Sequence, residues 1–149
     1  MVIVGTREIA APAERAWSLL VDWERQSEWM PATTVRMLPG PTHGIGTRLE
    51  AVTGFGPIHV ADPMRVVAWE PPRRCVTLHE GRWLRGTGTF AVEPLGRDRC
   101  RVTWREDLDP GPVLGRVPGV PTLLARASQP FFALALRRFG TALAAYPSP

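Results

Sequence analysis

The first thirty residues of the chain show a strand pattern followed by a helical one. Residues 2–9 are rich in β-branched side chains, which predicts a strand. Pro12 suits the first turn of a helix, and apolar residues then recur at helical spacing as far as Leu20. Asp22 can cap a second short helix over 23–30, which Pro31 ends. We therefore expect one strand followed by two short helices.

The middle of the chain, from residue 33 to 108, alternates apolar and polar positions with period two. Glycine and proline interrupt this alternation at short intervals, which is typical of an antiparallel meander. Proline cannot donate to a strand ladder, so Asp62-Pro63 predicts a bulge or break within the longest strand. The predicted strands are 34–38, 47–53, 58–70, 75–80, 84–93 and 100–108.

The last part of the chain is helical after a segment rich in proline and glycine, 109–121. Pro130 interrupts helical hydrogen bonding, so we expect a kink or a new helix start there. A long apolar helix must pack on an apolar surface, and the meander supplies one. The stripe that defines this helix has spacings of four and three residues, and it consists of Phe132, Leu136, Phe139, Leu143 and Tyr146.

Composition and charge exclude several classes of protein. The chain has 149 residues, enough for one domain that buries roughly 70% of its unfolded surface. A hydrophobic content of 44% and a charged content of 21% exclude a disordered chain. The 18 basic residues are all arginine and are scattered, and the net charge is only +4, so we expect no nucleic-acid partner. No apolar run suits membrane insertion or a signal peptide, and we expect a cytoplasmic protein.

Cysteine and histidine spacing gives no indication of a cofactor. Cys75 and Cys100 cannot form a disulfide framework and have no metal-ligand spacing. The three histidines, His43, His59 and His79, lie far apart in sequence and form no metal-binding motif. We therefore expect neither a metal nor another cofactor.

Six short segments resemble the SRPBCC superfamily, also called START or Bet v 1-like, and within it the polyketide cyclase/dehydrase and lipid-transport subset. The resemblance covers nearly the whole chain. The segments are IAAPAERAW at 9–17, DW at 22–23, EWMP at 28–31, GIGT at 44–47, WEPPRR at 69–74 and VTWRE at 102–106.

This resemblance implies an α+β helix-grip fold, in which a seven-stranded antiparallel sheet wraps around the long C-terminal helix. Residues 1–149 would form a single such domain. The family implies an internal cavity that holds a small hydrophobic molecule, such as a lipid, a polyketide or an aromatic metabolite. Some members are aromatase/cyclases or dehydratases, and others are ribosome-associated or toxin-like factors. Fold alone does not choose among these functions.

Strand parity assigns side chains to the inner face of the sheet. If the Pro71-Pro72 turn pairs residue 70 with residue 73, Arg65 opposes Leu78 and Val67 opposes Val76. In the last hairpin, Val92 opposes Val102, Phe90 opposes Trp104 and Gly88 opposes Glu106. A three-residue loop at 81–83 places Glu80 on the inner face, whereas a two-residue loop would place it outside. By the same parity, Cys100 faces inward and Cys75 outward.

These assignments give candidate site residues. Arg65 would hold a ligand carbonyl or carboxylate, with Glu80 or Glu106 available for proton transfer. The alternatives are a structural Arg–Glu pair or a register slipped by one residue, and Trp104 and Phe90 could equally belong to the core. His59 is a weaker cavity candidate. The full set of predicted ligand-binding residues is Arg65, Val67, Trp69, Val76, Leu78, Glu80, Phe90, Trp104, Glu106, Phe132 and Leu136.

Overall fold

The computed structural model describes residues 1–147, which form seven strands and four α-helices. A single 3₁₀ turn, Trp23–Arg25, precedes α2. The strands are β1 (Val2–Ile9), β2 (Thr33–Met37), β3 (Arg48–Phe55), β4 (Ile58–Glu70), β5 (Arg74–Glu80), β6 (Arg85–Gly96) and β7 (Arg99–Asp109). The helices are α1 (Ala13–Leu20), α2 (Gln26–Trp29), α3 (Gly111–Leu114) and α4 (Val120–Ala145).

All seven strands belong to one antiparallel sheet in the order β1-β7-β6-β5-β4-β3-β2. The curled sheet and long C-terminal helix confirm the predicted helix-grip fold. The C-terminal helix begins at Val120 and continues through Pro130, so no new helix starts at that proline. Pro130 lies on an exposed part of the helix.

The core lies where α1, α2 and α4 meet the inner face of the sheet. Trp29 is fully buried at its centre, with ring centroids 5.2 Å from Phe139, 6.0 Å from Phe90 and 6.0 Å from Trp104. Such edge-to-face aromatic contacts add about 0.5–1.5 kcal/mol each beyond their buried area. Four members of the predicted stripe on α4 are buried, Phe132, Leu136, Phe139 and Leu143.

The long helix does not cover the whole inner face of the sheet. It packs mainly against β1 and α2, with fewer contacts to α1. It makes few contacts with β3, β4, β5 or β6, and α1 packs on β6 and β7 instead. This asymmetry leaves space for a cavity between α4 and the middle of the sheet.

The observed strand registers agree with the predicted register in one hairpin and differ from it in another. In the β6–β7 hairpin, Val92, Phe90 and Gly88 oppose Val102, Trp104 and Glu106, as predicted. In the β4–β5 hairpin, residue 70 pairs with residue 74, and a bulge at Val67 shifts the register. The predicted bulge at Asp62-Pro63 is wrong, because both residues pair in register with β3. Pairing with β5 begins only at the next residue, so the missing N–H of Pro63 interrupts no ladder there.

Candidate functional site

A cavity of about 570 Å³ lies between α4 and the inner face of the sheet. Ligand pockets in proteins are typically about 300–1,000 Å³ and mainly apolar, so this cavity has the size of a small-molecule site. Its wall is apolar over most of its extent. Leu49, Met64, Phe90 and Trp104 contribute from the sheet, and Phe131 and Phe132 contribute from α4.

Three ionisable side chains line this cavity within residues 1–147, and they form one cluster of Asp62, His79 and Glu106. The His79 Nδ1 and Asp62 Oδ2 atoms are 2.8 Å apart, and the His79 Nε2 and Glu106 Oε2 atoms are also 2.8 Å apart. Trp104 Nε1–H donates to Glu106 Oε1 over 2.6 Å. The imidazole is thus held between two carboxylates, and an indole fixes one of them.

The cluster is nearly removed from solvent, and its electrostatics follow from its partners. The side chains of His79, Glu106 and Asp62 are only 4%, 10% and 13% exposed. Burial lowers the pKa of His79, but the hydrogen bonds and charges of Asp62 and Glu106 outweigh this effect and raise it from 6.5 to about 9. At neutral pH, His79 is therefore protonated and both of its ring nitrogens donate.

A glycine on β6 makes room for the cluster. β6 lies between β5 and β7 in the sheet, and Gly88 lines the cavity directly opposite Glu106. A Cβ at position 88 would lie 2.9 Å from Glu106 Oε1 and 3.0 Å from Thr77 Oγ1. The missing side chain therefore makes room for the Glu106 carboxylate, and His79 can reach Glu106 across the intervening strand.

Four of the sequence-predicted ligand-binding residues line the cavity: Phe90, Trp104, Glu106 and Phe132. They come from the β6–β7 hairpin and α4. Trp104 also stacks near Phe132, with ring centroids 4.2 Å apart. The aromatic surface predicted for these strands is present at the cavity wall.

Arg65 and Glu80 lie on the outer face of the sheet, and the predicted inward orientation is wrong for both. Arg65 Nη2 and Glu80 Oε1 are 2.8 Å apart, and their side chains are 44% and 34% exposed. Arg65 does oppose Leu78, as predicted, but both residues share the outer face. The bulge at Val67 reverses the parity between Trp69 and Arg65, which the prediction assumed to be continuous. The alternative of a structural Arg–Glu pair describes what is observed.

The inner and outer faces of β5 are exchanged relative to the prediction. Cys75, Thr77 and His79 are buried, so Val76, Leu78 and Glu80 face outward. The physical reason is the loop at 81–84, which is one residue longer than predicted and pairs residue 80 with residue 85. A one-residue shift exchanges the two faces of a strand. Cys75 is therefore inward instead of outward, and burial raises its pKa to about 12.

The remaining predicted residues do not line the cavity. Val67 forms the bulge and is 36% exposed. Trp69 does face inward, but it packs on Trp17 with ring centroids 5.2 Å apart. Leu136 is buried on the β1 side of α4, where its Cδ1 lies close to Gly5. His59 is exposed and bonds the carbonyl oxygen of residue 56, so it is not a cavity residue.

His79 and Asp62 are the site residues that sequence reasoning missed. The predicted parity that puts Glu80 on the inner face puts the neighbouring His79 on the outer face, and Asp62-Pro63 is predicted only to form a bulge or break in a strand. One signal was present, because Glu106 was predicted to face an apolar interior, and a buried carboxylate requires a hydrogen-bonding or charged partner. His79 lies on β5, one strand beyond the strand that pairs with Glu106.

The cavity wall reaches solvent at two of its apolar residues, one on β4 and one near the start of α4. These residues are Val60 and Leu124, which are 40% and 36% exposed. Phe55 and Ile58 beside the β3–β4 turn, and Trp83 in the β5–β6 loop, are large apolar side chains that are mostly exposed.

The part of the chain that the structure describes contains neither a metal-binding cluster nor a membrane-spanning helix. No group of His, Cys, Asp and Glu side chains there is arranged to hold a metal ion. Both ring nitrogens of His79 are engaged by carboxylates. Among the same residues, no helix is long and apolar enough to cross a membrane.

Comparisons with known proteins agree with this architecture. The protein TTHA0849 from Thermus thermophilus superposes with a TM-score of 0.80 at 19% identity, covering 99% of this chain and 100% of that chain. A START superfamily protein from Mycobacterium smegmatis gives a TM-score of 0.75 at 18% identity, covering 97% of both chains. The Zhui aromatase/cyclase from a Streptomyces species gives 0.73 at 15% identity, covering 97% of this chain and 93% of that one.

These identities are low, so the three structures establish the fold alone. Among curated proteins, none matches the chain in sequence. The family model described as polyketide cyclase/dehydrase and lipid transport matches residues 2–144, nearly the whole chain. The chain therefore belongs to the polyketide cyclase/dehydrase and lipid transport family.

Proposed function

We propose that this protein binds a small, mainly apolar molecule in the cavity, with the polar end of that molecule at the Asp62–His79–Glu106 cluster. The observation that carries the proposal is a largely apolar space of about 570 Å³ in which residues 1–147 place a single group of ionisable side chains. An apolar ligand gains roughly 25 cal/mol for each Å² of surface that it buries there. The cluster would then fix its orientation.

Filling the cavity tests this proposal. Ala51 is buried and lines the cavity, whereas Ala61 on β4 is exposed on the outer face. The same change, Ala51→Phe or Ala61→Phe, therefore removes cavity volume in one variant and leaves it intact in the other. Native mass spectrometry and organic extraction of the purified proteins would compare the bound small molecules. We expect wild type and Ala61→Phe to retain a ligand that Ala51→Phe loses.

Equal ligand content in both variants would contradict binding in this cavity. Absence of any small molecule from wild type, together with no uptake of added pyrene-based probes, would contradict the proposal as a whole. Circular dichroism of both variants would establish that the comparison is between folded proteins.

A second candidate function is acid–base catalysis of dehydration or cyclisation, and the position of His79 beside Glu106 favours it. Arg65 and Glu80 lie outside the cavity, so the roles we expected for them pass to the buried cluster. In a β-hydroxy ketone, Glu106 would take the proton from the carbon between the carbonyl and the carbinol, leaving an enolate. The proton on Glu106 Oε2 occupies the position that accepted the hydrogen bond from His79, so His79 Nε2–H is free to donate to the substrate.

The protons already present on Glu106 and His79 are sufficient to complete the reaction. The enolate electron pair forms the C=C bond, the C–O bond breaks, and His79 Nε2–H protonates the leaving hydroxyl to give water. The proton on Glu106 then returns to His79 across the 2.8 Å hydrogen bond. No oxidant, metal or other reactant is required.

Turnover of 4-hydroxy-4-phenylbutan-2-one to its enone, followed by absorbance, tests the catalytic candidate. General acid–base groups contribute about 10²–10⁴-fold, so His79→Gln and Glu106→Gln should each lose about 10²-fold or more. Glu80→Gln is the matched control, because that carboxylate lies on the outer face. Equal rates in all four proteins would contradict catalysis by the cluster.

A further inference from the structure

The polar cluster presents hydrogen-bond acceptors to the cavity, because its donors are already engaged. Protonated His79 donates to Asp62 and to Glu106. Trp104 Nε1–H donates to Glu106, and the Thr77 hydroxyl donates to the carbonyl oxygen of Gly88. Each carboxylate oxygen can accept more than one hydrogen bond, so unused acceptor capacity remains on the carboxylates.

The charge of the cavity wall, like its unused acceptors, favours a ligand group that donates a hydrogen bond or is cationic. Two carboxylates and one imidazolium leave the cluster with a net negative charge at neutral pH. No arginine or lysine side chain lines the cavity among residues 1–147. Met1 also lines the cavity, and its cationic α-amino group donates one of its N–H bonds to the carbonyl oxygen of Leu108, outside the cluster. An anionic ligand group would therefore meet negative charge and no free donor at the cluster.

Building on the proposed ligand binding, we infer that the cavity selects apolar molecules whose polar end donates a hydrogen bond or carries a positive charge. Alcohols, phenols and protonated amines satisfy this requirement. The carboxylate of the same hydrocarbon, and hence a fatty acid anion, binds more weakly. The selectivity resides in Glu106 and Asp62, since their oxygen atoms accept the bond from the ligand.

Three fluorescent probes with the same hydrocarbon and different polar groups distinguish selectivity for the polar group from binding of the hydrocarbon. They are 1-pyrenemethanol, 1-pyrenemethylamine and 1-pyrenecarboxylic acid, titrated into the full chain at pH 7 below their aggregation limits. We expect the alcohol and the amine to bind, and the carboxylate to bind at least about tenfold more weakly because of like-charge repulsion in a poorly hydrated site. Equal affinity for all three overturns the selectivity and leaves the proposed function standing. Binding of none of them counts against the proposed function.

Charge-removing variants locate the source of the discrimination. Glu106→Gln should reduce the difference between alcohol and carboxylate to less than about threefold, because the amide is neutral and can donate. Asp62→Asn is the second variant, should Glu106→Gln fold poorly, and it should shift the preference in the same direction. Glu80→Gln removes the same charge from the outer face and should keep the full discrimination. Discrimination that persists in both cavity variants overturns the assignment to this cluster.

Discussion

Protonated His79 should make the stability of the protein depend on pH between about 6.5 and 9. The imidazole is 4% exposed and bonded to Asp62 and Glu106 at 2.8 Å each. Although burial opposes the charge, these contacts raise its pKa from 6.5 to about 9. In the unfolded chain, His79 returns to an ordinary pKa near 6.5.

The sign and size of the effect follow from this difference. The folded protein holds the proton more tightly than the unfolded chain, so the stabilisation is fully present below pH 6.5. It is lost as the pH rises through about 9, where the folded state also releases the proton. Since each pH unit corresponds to about 1.4 kcal/mol, the contribution is about 3 kcal/mol of unfolding free energy.

Urea unfolding, followed by tryptophan fluorescence at several pH values from 6 to 10, measures this contribution. His79→Gln is the reference, because it removes the titrating group and leaves every other titrating residue in place. The difference in unfolding free energy between wild type and His79→Gln should fall by about 3 kcal/mol over this range. A difference that is constant with pH, or that grows as the pH rises, would refute the linkage of His79 to the two carboxylates.

Three further substitutions test other parts of the structure. Arg65→Ala should lower the unfolding free energy by less than about 1 kcal/mol, because the ion pair of Arg65 with Glu80 is exposed. A larger loss of unfolding free energy, measured by thermal unfolding, would contradict the placement of Arg65 on the outer face. Gly88→Ala places a methyl group 2.9 Å from Glu106 Oε1, which displaces the carboxylate from His79. The pKa of His79, measured by NMR titration, should therefore fall from about 9 towards 6.5. An unchanged pKa of His79 would refute the role of the glycine. Phe139→Ala should cost about 3–5 kcal/mol in urea unfolding, because the ring is fully buried, and a cost below about 1 kcal/mol would argue against this packing.

The β6–β7 hairpin shows what could be predicted from the sequence. Its inner face carries aromatic and apolar residues on both strands, and a short turn joins them. Phe90 and Trp104 could therefore be placed opposite each other, and Glu106 could be placed inward beside Gly88. Local pattern and turn length agreed, so the register followed from residues close in sequence.

The β4–β5 and β5–β6 connections show why the rest of the site was missed. On β5, the apolar residues Val76 and Leu78 face outward, while the inner face carries Thr77 and His79 at the cavity. The usual association of apolar residues with the inner face therefore indicated the wrong side. A bulge at Val67 and one extra loop residue then decided the parity, and neither has a strong local signature.

The arrangement of β5, β6 and β7 bears on why charged groups occupy this wall. A buried ion pair rarely stabilises a protein more than well-packed apolar side chains of similar volume would, since the cost of desolvating the charges offsets most of their attraction. Here the contact also requires glycine at an inner position of the intervening strand, and glycine weakens a strand interior. An apolar side chain at position 88 and apolar neighbours would close the same space without either cost. The cluster instead places unused acceptors in the wall of an apolar cavity, which is the position where a bound molecule would meet them.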